Sequence, residues 1–346
     1  MSTPQKVLLT GATGFIGSHI LEALRGAGIP VAALVRAGAN VAHARAQQAE
    51  LRYGDLCDLP SVRRAVRGCG QVVHAAARAG DWGPREAFFQ VNVQGTLNVL
   101  EACRAEGLRQ VIVTGSISSY GEEDSQQVKD ETFPFRSHYP YLAHRLLPSA
   151  YNWYRDSKAQ ATRQAMRFAR EHGLSLTVLE PVWVFGEREF GTGFYSYVKA
   201  VRDGQRHMPG CTRNRFQVIY APDLARAYLL ALERQLPGIE RIIVGNAAPE
   251  PMHRIFGLFC QEAGLRPPRL LPKWCVYPLG FGLELCYVLG RSRRPPLLTR
   301  GRVNMFYDSI QYCTEKARRL LGFECRHSLE EGIRQTVSWY KSNHLL

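Results

Sequence analysis

The sequence predicts an α/β fold: a doubly wound parallel sheet of the Rossmann kind with a smaller, mixed C-terminal lobe. Three observations carry this expectation. Short apolar runs rich in β-branched residues recur through the first 180 positions, and amphipathic stretches separate them. A glycine-rich turn, Thr10-Gly11-Ala12-Thr13-Gly14-Phe15-Ile16-Gly17, follows the first run. Strands alternating with helices build right-handed βαβ units, which assemble into a parallel sheet.

Lys6–Thr10 reads as a buried strand, and a helix from Phe15 to Gly26 follows the glycine turn. Val31–Val35 is a second strand; a short third ends at Tyr53, ahead of Gly54-Asp55-Leu56. Val72-Val73-His74-Ala75-Ala76 and Val111-Ile112-Val113-Thr114 repeat the pattern, with helical stretches near 86–106 and 154–172, and Ser175–Leu179 is a sixth strand. After Pro181 the rhythm changes: glycines and aromatics crowd 185–197, and proline is frequent from Pro249 to Pro296. Gln217–Ile219, a helix Pro222–Glu233 and Arg241–Val244 read as a return to the sheet. The expected division is a nucleotide-binding domain over 1–180, rejoined by 216–246, and an interleaved substrate-binding lobe over 181–346.

Composition narrows the function classes. At 346 residues and 45% hydrophobic content the chain can bury a large core. No signal peptide opens it, so the expected location is cytoplasmic. The nine cysteines show no C-x-x-C pair and no metal-ligand spacing, which predicts reduced thiols and no structural metal. The net charge of +14 is unevenly placed: 20 Lys and Arg face 16 acids in residues 1–180, but 24 face 14 thereafter. Between Arg266 and Arg302 eight basic residues face one acid, Glu284. No nucleic-acid motif accompanies this excess, so it predicts a membrane surface or an anionic ligand rather than nucleic acid.

The glycine turn predicts a dinucleotide site. A tight turn after the first strand lets the next helix aim its N-terminus at a pyrophosphate, and missing Cβ atoms at Gly11, Gly14 and Gly17 allow close backbone approach. Backbone groups from Gly11 and Thr13 through Phe15, Ile16 and Gly17 form the expected cradle. NAD sites usually place an acid about 20 residues further on to hold the ribose. Here no Asp or Glu lies between Glu22 and Glu50, and Arg36 follows the second strand. A guanidinium there suits a 2′-phosphate, so NADP(H) is favoured over NAD(H). Asp55 and Leu56 are expected beside the adenine.

Tyr154 and Lys158 stand four residues apart, on one face of an expected helix. A free tyrosine ionises near pH ~10 and is a poor base at neutrality. A neighbouring ammonium favours the phenolate, so Tyr154 can exchange a proton with a substrate hydroxyl. Lys158 is also expected to hydrogen-bond the cofactor ribose, and Ser116, at a strand end, to fix the substrate oxygen. His74 lies in an apolar strand and reads as a core residue.

Taken in order, these residues resemble the extended short-chain dehydrogenase/reductases. The likeness runs through Thr10–Gly17, Gly54-Asp55-Leu56, His74-Ala75-Ala76-Ala77, Asn92-Val93-Gln94-Gly95-Thr96, Thr114-Gly115-Ser116, Tyr154–Lys158 and Pro181-Val182-Trp183-Val184-Phe185-Gly186, covering about the first 250 residues. It implies Ser116, Tyr154 and Lys158 as the catalytic trio. It also implies Ala75, Ala76, Ala77 and Asn92 beside the cofactor, with Pro181 and Val184 bordering the nicotinamide carboxamide. Two departures stand out. Ile117 and Ser118 follow Ser116 where sugar dehydratases of the family carry Asp-Glu, which argues against dehydration. Glu180 occupies a position usually held by arginine, which bears on the following loop.

Pro295–Arg300 and Lys316–Phe323 resemble the 3β-hydroxysteroid dehydrogenase branch, which implies a small hydrophobic alcohol or ketone as substrate: steroid-, terpenoid- or acyl-derived. The segment 270–302 holds an apolar stretch, Leu270–Gly290, interrupted by Pro272, Lys273, Pro278 and Glu284. It reads either as a peripheral membrane contact or as a lid over the substrate pocket. A long aromatic insertion before Tyr154 is expected to shape the substrate entrance. A homodimer is compatible with this reading; a nucleotide-sugar 4-epimerase with tightly bound NAD and a non-catalytic NADP-binding protein remain as alternatives.

Overall fold

A computed structural model describes residues 5–121, 127–191 and 193–346; residues 122–126 of the insertion before Tyr154 lie outside the described residues. The first half follows the expected alternation: β1 (Val7–Thr10), α1 (Phe15–Gly26), β2 (Val31–Val35), α2 (Ala42–Ala46), β3 (Glu50–Tyr53), α3 (Leu59–Val66) and β4 (Gln71–His74). Then come α4 (Arg85–Phe89), a π-helical turn (Gln90–Gln94), α5 (Gly95–Ala105), β5 (Gln110–Thr114), α6 (Ala150–His172) and β6 (Ser175–Pro181). The expected helix over 86–106 is thus interrupted by a widened turn at Asn92. The expected helix at 154–172 starts earlier, at Ala150, and ends on Gly173 in the left-handed conformation. The short helices α2 and α3 answer to no sequence expectation. β4 stops at His74, so Ala75 and Ala76 lie in the loop beyond it.

After β6 the chain forms β7 (Trp183–Phe185), α7 (Phe194–Arg202), β8 (His207–Pro209), β9 (Arg215–Phe216), β10 (Val218–Tyr220), α8 (Ala221–Arg234) and β11 (Ile239–Val244). β12 (Glu250–Pro251), α9 (Met252–Ala263), β13 (Arg269–Leu271), α10 (Lys273–Leu289), α11 (Arg300–Met305), α12 (Glu315–Leu321) and α13 (Leu329–Ser342) complete it. Seven parallel strands form the main sheet in the order β11-β6-β5-β4-β1-β2-β3. This is the doubly wound parallel arrangement. The chain reverses direction of growth between β1 and β4, and ligands of such sheets sit beyond the strand ends at that point.

One expectation is corrected. Arg241–Val244 does return to the sheet, as part of β11, but Gln217–Ile219 does not: β10 pairs only with β7. Gln217 explains the departure. Just ahead of β10, its side-chain amide donates to Asn246 O (2.6 Å) in the loop after β11 and its Oε1 accepts from Tyr312 N (2.8 Å), so it bridges that loop and the C-terminal segment instead of joining the sheet. Apolar side chains fill both sheet faces. Leu8, Leu100, Val111 and Ala165 lie among α3, α5 and α6, whereas Leu9, Leu21, Leu224 and Ile243 join the aromatic core that continues under α7, α9 and α13.

Candidate active site

The strand ends collect the expected cofactor residues along one edge. Gly11 has φ +79°, and a Cβ there would stand 2.7 Å from Ala76 N, so the glycine turn touches the Ala75–Ala76 loop directly. A Cβ on Gly17 would lie 2.0 Å from Gly11 O. Only glycine fits either place. Gly14 leads α1 and its own amide bonds back to Gly11 O (2.9 Å), while the first-turn amides of Phe15, Ile16 and Gly17 have no acceptor within the helix and no acid stands in that turn. Such a cradle could hold a pyrophosphate through backbone amides and the helix dipole.

Arg36 follows β2, is exposed, and its guanidinium makes no hydrogen bond or ion pair to the described residues. Its charge reaches Cys57, in the loop after β3 that also carries Asp55 and Leu56. Asp55 folds that loop by accepting from Cys57 N (2.8 Å), and Asn98 donates to Leu56 O (2.7 Å). Pro181 closes β6 and Val184 is buried in β7.

His74 is the hub of a network that the sequence did not announce. Thr96 Oγ1 donates to Asn92 O (2.6 Å) and therefore accepts from His74 Nε2 (3.1 Å). Burial, followed by the charge of Lys158, pushes the His74 pKa down to about 3, so the ring is neutral and Nδ1 accepts from Thr10 Oγ1 (2.7 Å). Thr10 Oγ1 accepts in turn from Ala76 N (3.2 Å). This chain ties β1, the loop after β4 and the π-helical turn into one unit. Asn92 extends it: Oδ1 accepts from Arg78 N (2.7 Å), and Nδ2 donates to Ser157 Oγ (2.8 Å), next to Lys158. Asn92 thus holds α6 as well as the loop.

Lys158 is buried and donates to Thr114 O at 2.5 Å, which docks α6 on the end of β5, two residues before Ser116. Ser116 Oγ accepts from Ser118 N (3.3 Å) and lies 2.7 Å from Ser118 Oγ. With Ser118 donating, the Ser116 hydroxyl hydrogen can point to a substrate oxygen. Tyr154 is half-buried on α6 and its ring stacks on Tyr151 at 6.5 Å. Arg155 reaches Ser118 O (3.3 Å), a further tie between α6 and the serine segment. The structure therefore brings Ser116, Tyr154 and Lys158 onto two elements that dock on each other.

Glu180 lies directly beneath. It is fully buried, accepts from Tyr120 OH (2.5 Å) and pairs with Arg241 Nε at 3.3 Å. A Cβ on Gly115 would stand 2.6 Å from Glu180 Cγ, so the small residue before Ser116 makes room for this carboxylate. Burial raises the Glu180 pKa, opposed by the Arg241 charge. Among the described residues no His, Cys, Asp and Glu group could hold a metal.

The Lys158 ammonium is costly. Burial lowers its pKa to about 8, partly opposed by the Glu180 charge. Because the folded value is below the unfolded one, the penalty is full below about pH 8 and is relieved as pH rises toward 10.5. Lys158→Met removes this penalty together with the bond to Thr114 O, so its stability relative to the parent protein is expected to be greatest below about pH 8 and to fall as pH rises toward 10.5. Denaturant unfolding of both proteins across that range checks it; a stability difference that does not change with pH contradicts it.

The sequence pattern of the NAD dependent epimerase/dehydratase family matches residues 7–245. The chain belongs to that family. It is an NAD(P)-dependent enzyme of the extended short-chain dehydrogenase/reductase type. A 2-alkyl-3-oxoalkanoate reductase from Stenotrophomonas maltophilia is 27% identical over 341 residues, covering 95% of this chain and 98% of that protein. Sterol demethylase protein B from Methylococcus capsulatus is also 27% identical, covering 98% and 99%. N-acetyl-alpha-D-glucosaminyl-diphospho-ditrans,octacis-undecaprenol 4-epimerase from Escherichia coli O157:H7 is 27% identical as well, covering 96% and 94%. Among solved structures, a UDP-glucose 4-epimerase from Thermus thermophilus in complex with NAD superimposes with a TM-score of 0.72, 25% identity and coverage of 97% and 99%.

Proposed function

We propose that this enzyme is an NADP(H)-dependent oxidoreductase that interconverts a secondary alcohol and a ketone on a hydrophobic substrate. The docking of α6 on the end of β5 by Lys158 carries the reading, because it ties the helix that bears Tyr154 to the strand end that leads into Ser116. When bound, the nicotinamide cofactor supplies or takes up the hydride. Tyr154 gives its phenolic proton to the oxygen that becomes the alcohol, or takes it in the reverse direction. Ser116 holds that oxygen by donating its hydroxyl hydrogen, and Ser118 fixes the orientation. Lys158, charged over most of the neutral range, stabilises the phenolate and would bond the ribose of a bound cofactor. Reductase and sterol relatives support the substrate class.

Arg36 supports NADP(H), since its charge is unpaired by the described residues and no acid stands where a ribose-binding carboxylate is expected. Titration of the purified protein checks this: NADPH is expected to bind at least ten-fold more tightly than NADH, and Arg36→Ala to erase most of the difference. NADH binding as tightly as NADPH contradicts it.

A second reading, a 4-epimerase on a sugar diphosphate, is favoured by the undecaprenol-linked epimerase relative and by Arg215, exposed at β9. Retained NAD and turnover without net change in cofactor redox state would identify that activity instead.

A further inference from the structure

α10 departs from what its composition requires. Lys273 and Glu284 are its only charged residues, yet only Val276, Gly280 and Glu284 are buried. A helix that is apolar on every side belongs inside a core. Here Trp274 is 79% exposed and Leu289 73%. Of the eleven large hydrophobic residues exposed among the described ones, eight lie between Trp274 and Leu297 or at Leu142 and Leu146. Such a concentration marks a contact surface rather than scattered exposure.

The two segments form one platform. Arg300 is fully buried and grips Glu284 of α10 through Nε (2.8 Å) and Nη2 (3.0 Å), while its Nη1 and Nη2 donate to Leu142 O and Leu147 O. Trp82 Nε1 anchors the far end by donating to Ser292 O (2.9 Å). The platform backs on the start of α6: Asn152 Nδ2 donates to Tyr139 O (2.8 Å) and its Oδ1 accepts from Tyr139 N (3.1 Å).

The charge around it is of one sign. Arg266 and Arg269 precede α10, and Arg291, Arg293 and Arg294 follow it. All five are exposed, and their guanidinium groups make no hydrogen bond or ion pair to the described residues. Lys273, Arg300 and Arg302 are instead neutralised by Asp308, Glu284 and Asp81. At 1.5 Å per residue α10 is roughly 25 Å long, short of the roughly 30 Å hydrocarbon core. Among the described residues no helix is long and apolar enough to cross a membrane. α10 can lie on a bilayer, with its exposed apolar residues in the acyl boundary and arginines at both ends among headgroup phosphates.

We propose that α10, with the 142–146 loop, docks this enzyme on a bilayer containing anionic lipid. The surface adjoins the start of the helix that carries Tyr154, so a lipophilic substrate would have a short route from the bilayer to that helix. A second copy of the chain is a poorer occupant, because a two-fold contact through this face would press its arginines toward their own copies. The proposal is independent of whether the chemistry is net redox or epimerisation.

Co-sedimentation of the full chain with vesicles tests it. Binding is expected to vesicles of phosphatidylcholine mixed with phosphatidylglycerol, to weaken with added salt, and to be much weaker to phosphatidylcholine alone. Arg291→Gln/Arg293→Gln/Arg294→Gln, all surface changes, is expected to lower affinity roughly a hundred-fold with unchanged circular dichroism. Vesicles should also shift tryptophan emission to the blue, a shift lost in Trp274→Phe. Absence of binding, or binding indifferent to lipid charge and to the triple variant, overturns the proposal. So does a lipid-free dimer that the same variants dissociate, which assigns the face to a second copy.

Discussion

Tyr154→Phe is expected to lower turnover by about three orders of magnitude while leaving cofactor affinity within two-fold of the parent protein. The change removes one oxygen from a half-buried ring that stacks on Tyr151, so packing on α6 is retained. Lys158 keeps its bond to Thr114 O, and the glycine cradle is untouched. What is lost is the group that can move a proton to or from the reacting oxygen. Ser116 does not replace it: a serine hydroxyl beside Ser118 can hold an oxygen by hydrogen bonding but is far too weak an acid to deliver the proton. Turnover and NADPH binding measured on the same preparation separate the two effects. Near-parental activity removes Tyr154 from the chemistry, and equal losses in binding and turnover make its role structural.

β1, β2, β5 and β6 were legible because each holds a short apolar run buried on both faces, as inner parallel strands do, whereas the edge strand β3 exposes Glu50 and Tyr53. The glycine turn was legible for a related reason, since contacts at Gly11 and Gly17 admit no Cβ. Side-chain networks were less so. Thr10, His74 and Thr96 sit in three separate elements, and nothing local in any of them signals that their hydrogen bonds form one chain. Ser118 could have been found, because a serine two residues after another at a strand end commonly bonds back to it. Glu180 looked like a disturbance where an arginine was expected. Its partners, Tyr120 and Arg241, come from 60 and 61 positions away. Long-range pairing of this kind leaves no periodic trace. The same holds for Gln217 ahead of β10, whose partners lie 29 and 95 positions away.

Arg300→Met is expected to destabilise the protein by roughly 3–5 kcal/mol, the cost of leaving a buried carboxylate unpaired. In the sequence Glu284 appeared as an interruption of an apolar stretch and as the one acid among eight basic residues. In the fold it is the reason that stretch has a fixed position: Arg300 meets it with three hydrogen bonds, including one from the backbone amide at 2.9 Å. Removing the guanidinium also orphans the carbonyls of Leu142 and Leu147, which it ties to α10. Replacing both partners, as Arg300→Met/Glu284→Leu, takes away the uncompensated charge and should recover more than half of the loss in denaturant unfolding. The carbonyls stay unpaired in the double variant, so the 142–147 loop should exchange amide hydrogen faster than in the parent protein even where global stability returns. A single variant as stable as the parent contradicts the ion pair as an anchor. Full recovery of both stability and loop protection in the double variant would leave the pair without a positioning role, and the platform would then owe its geometry to apolar packing alone.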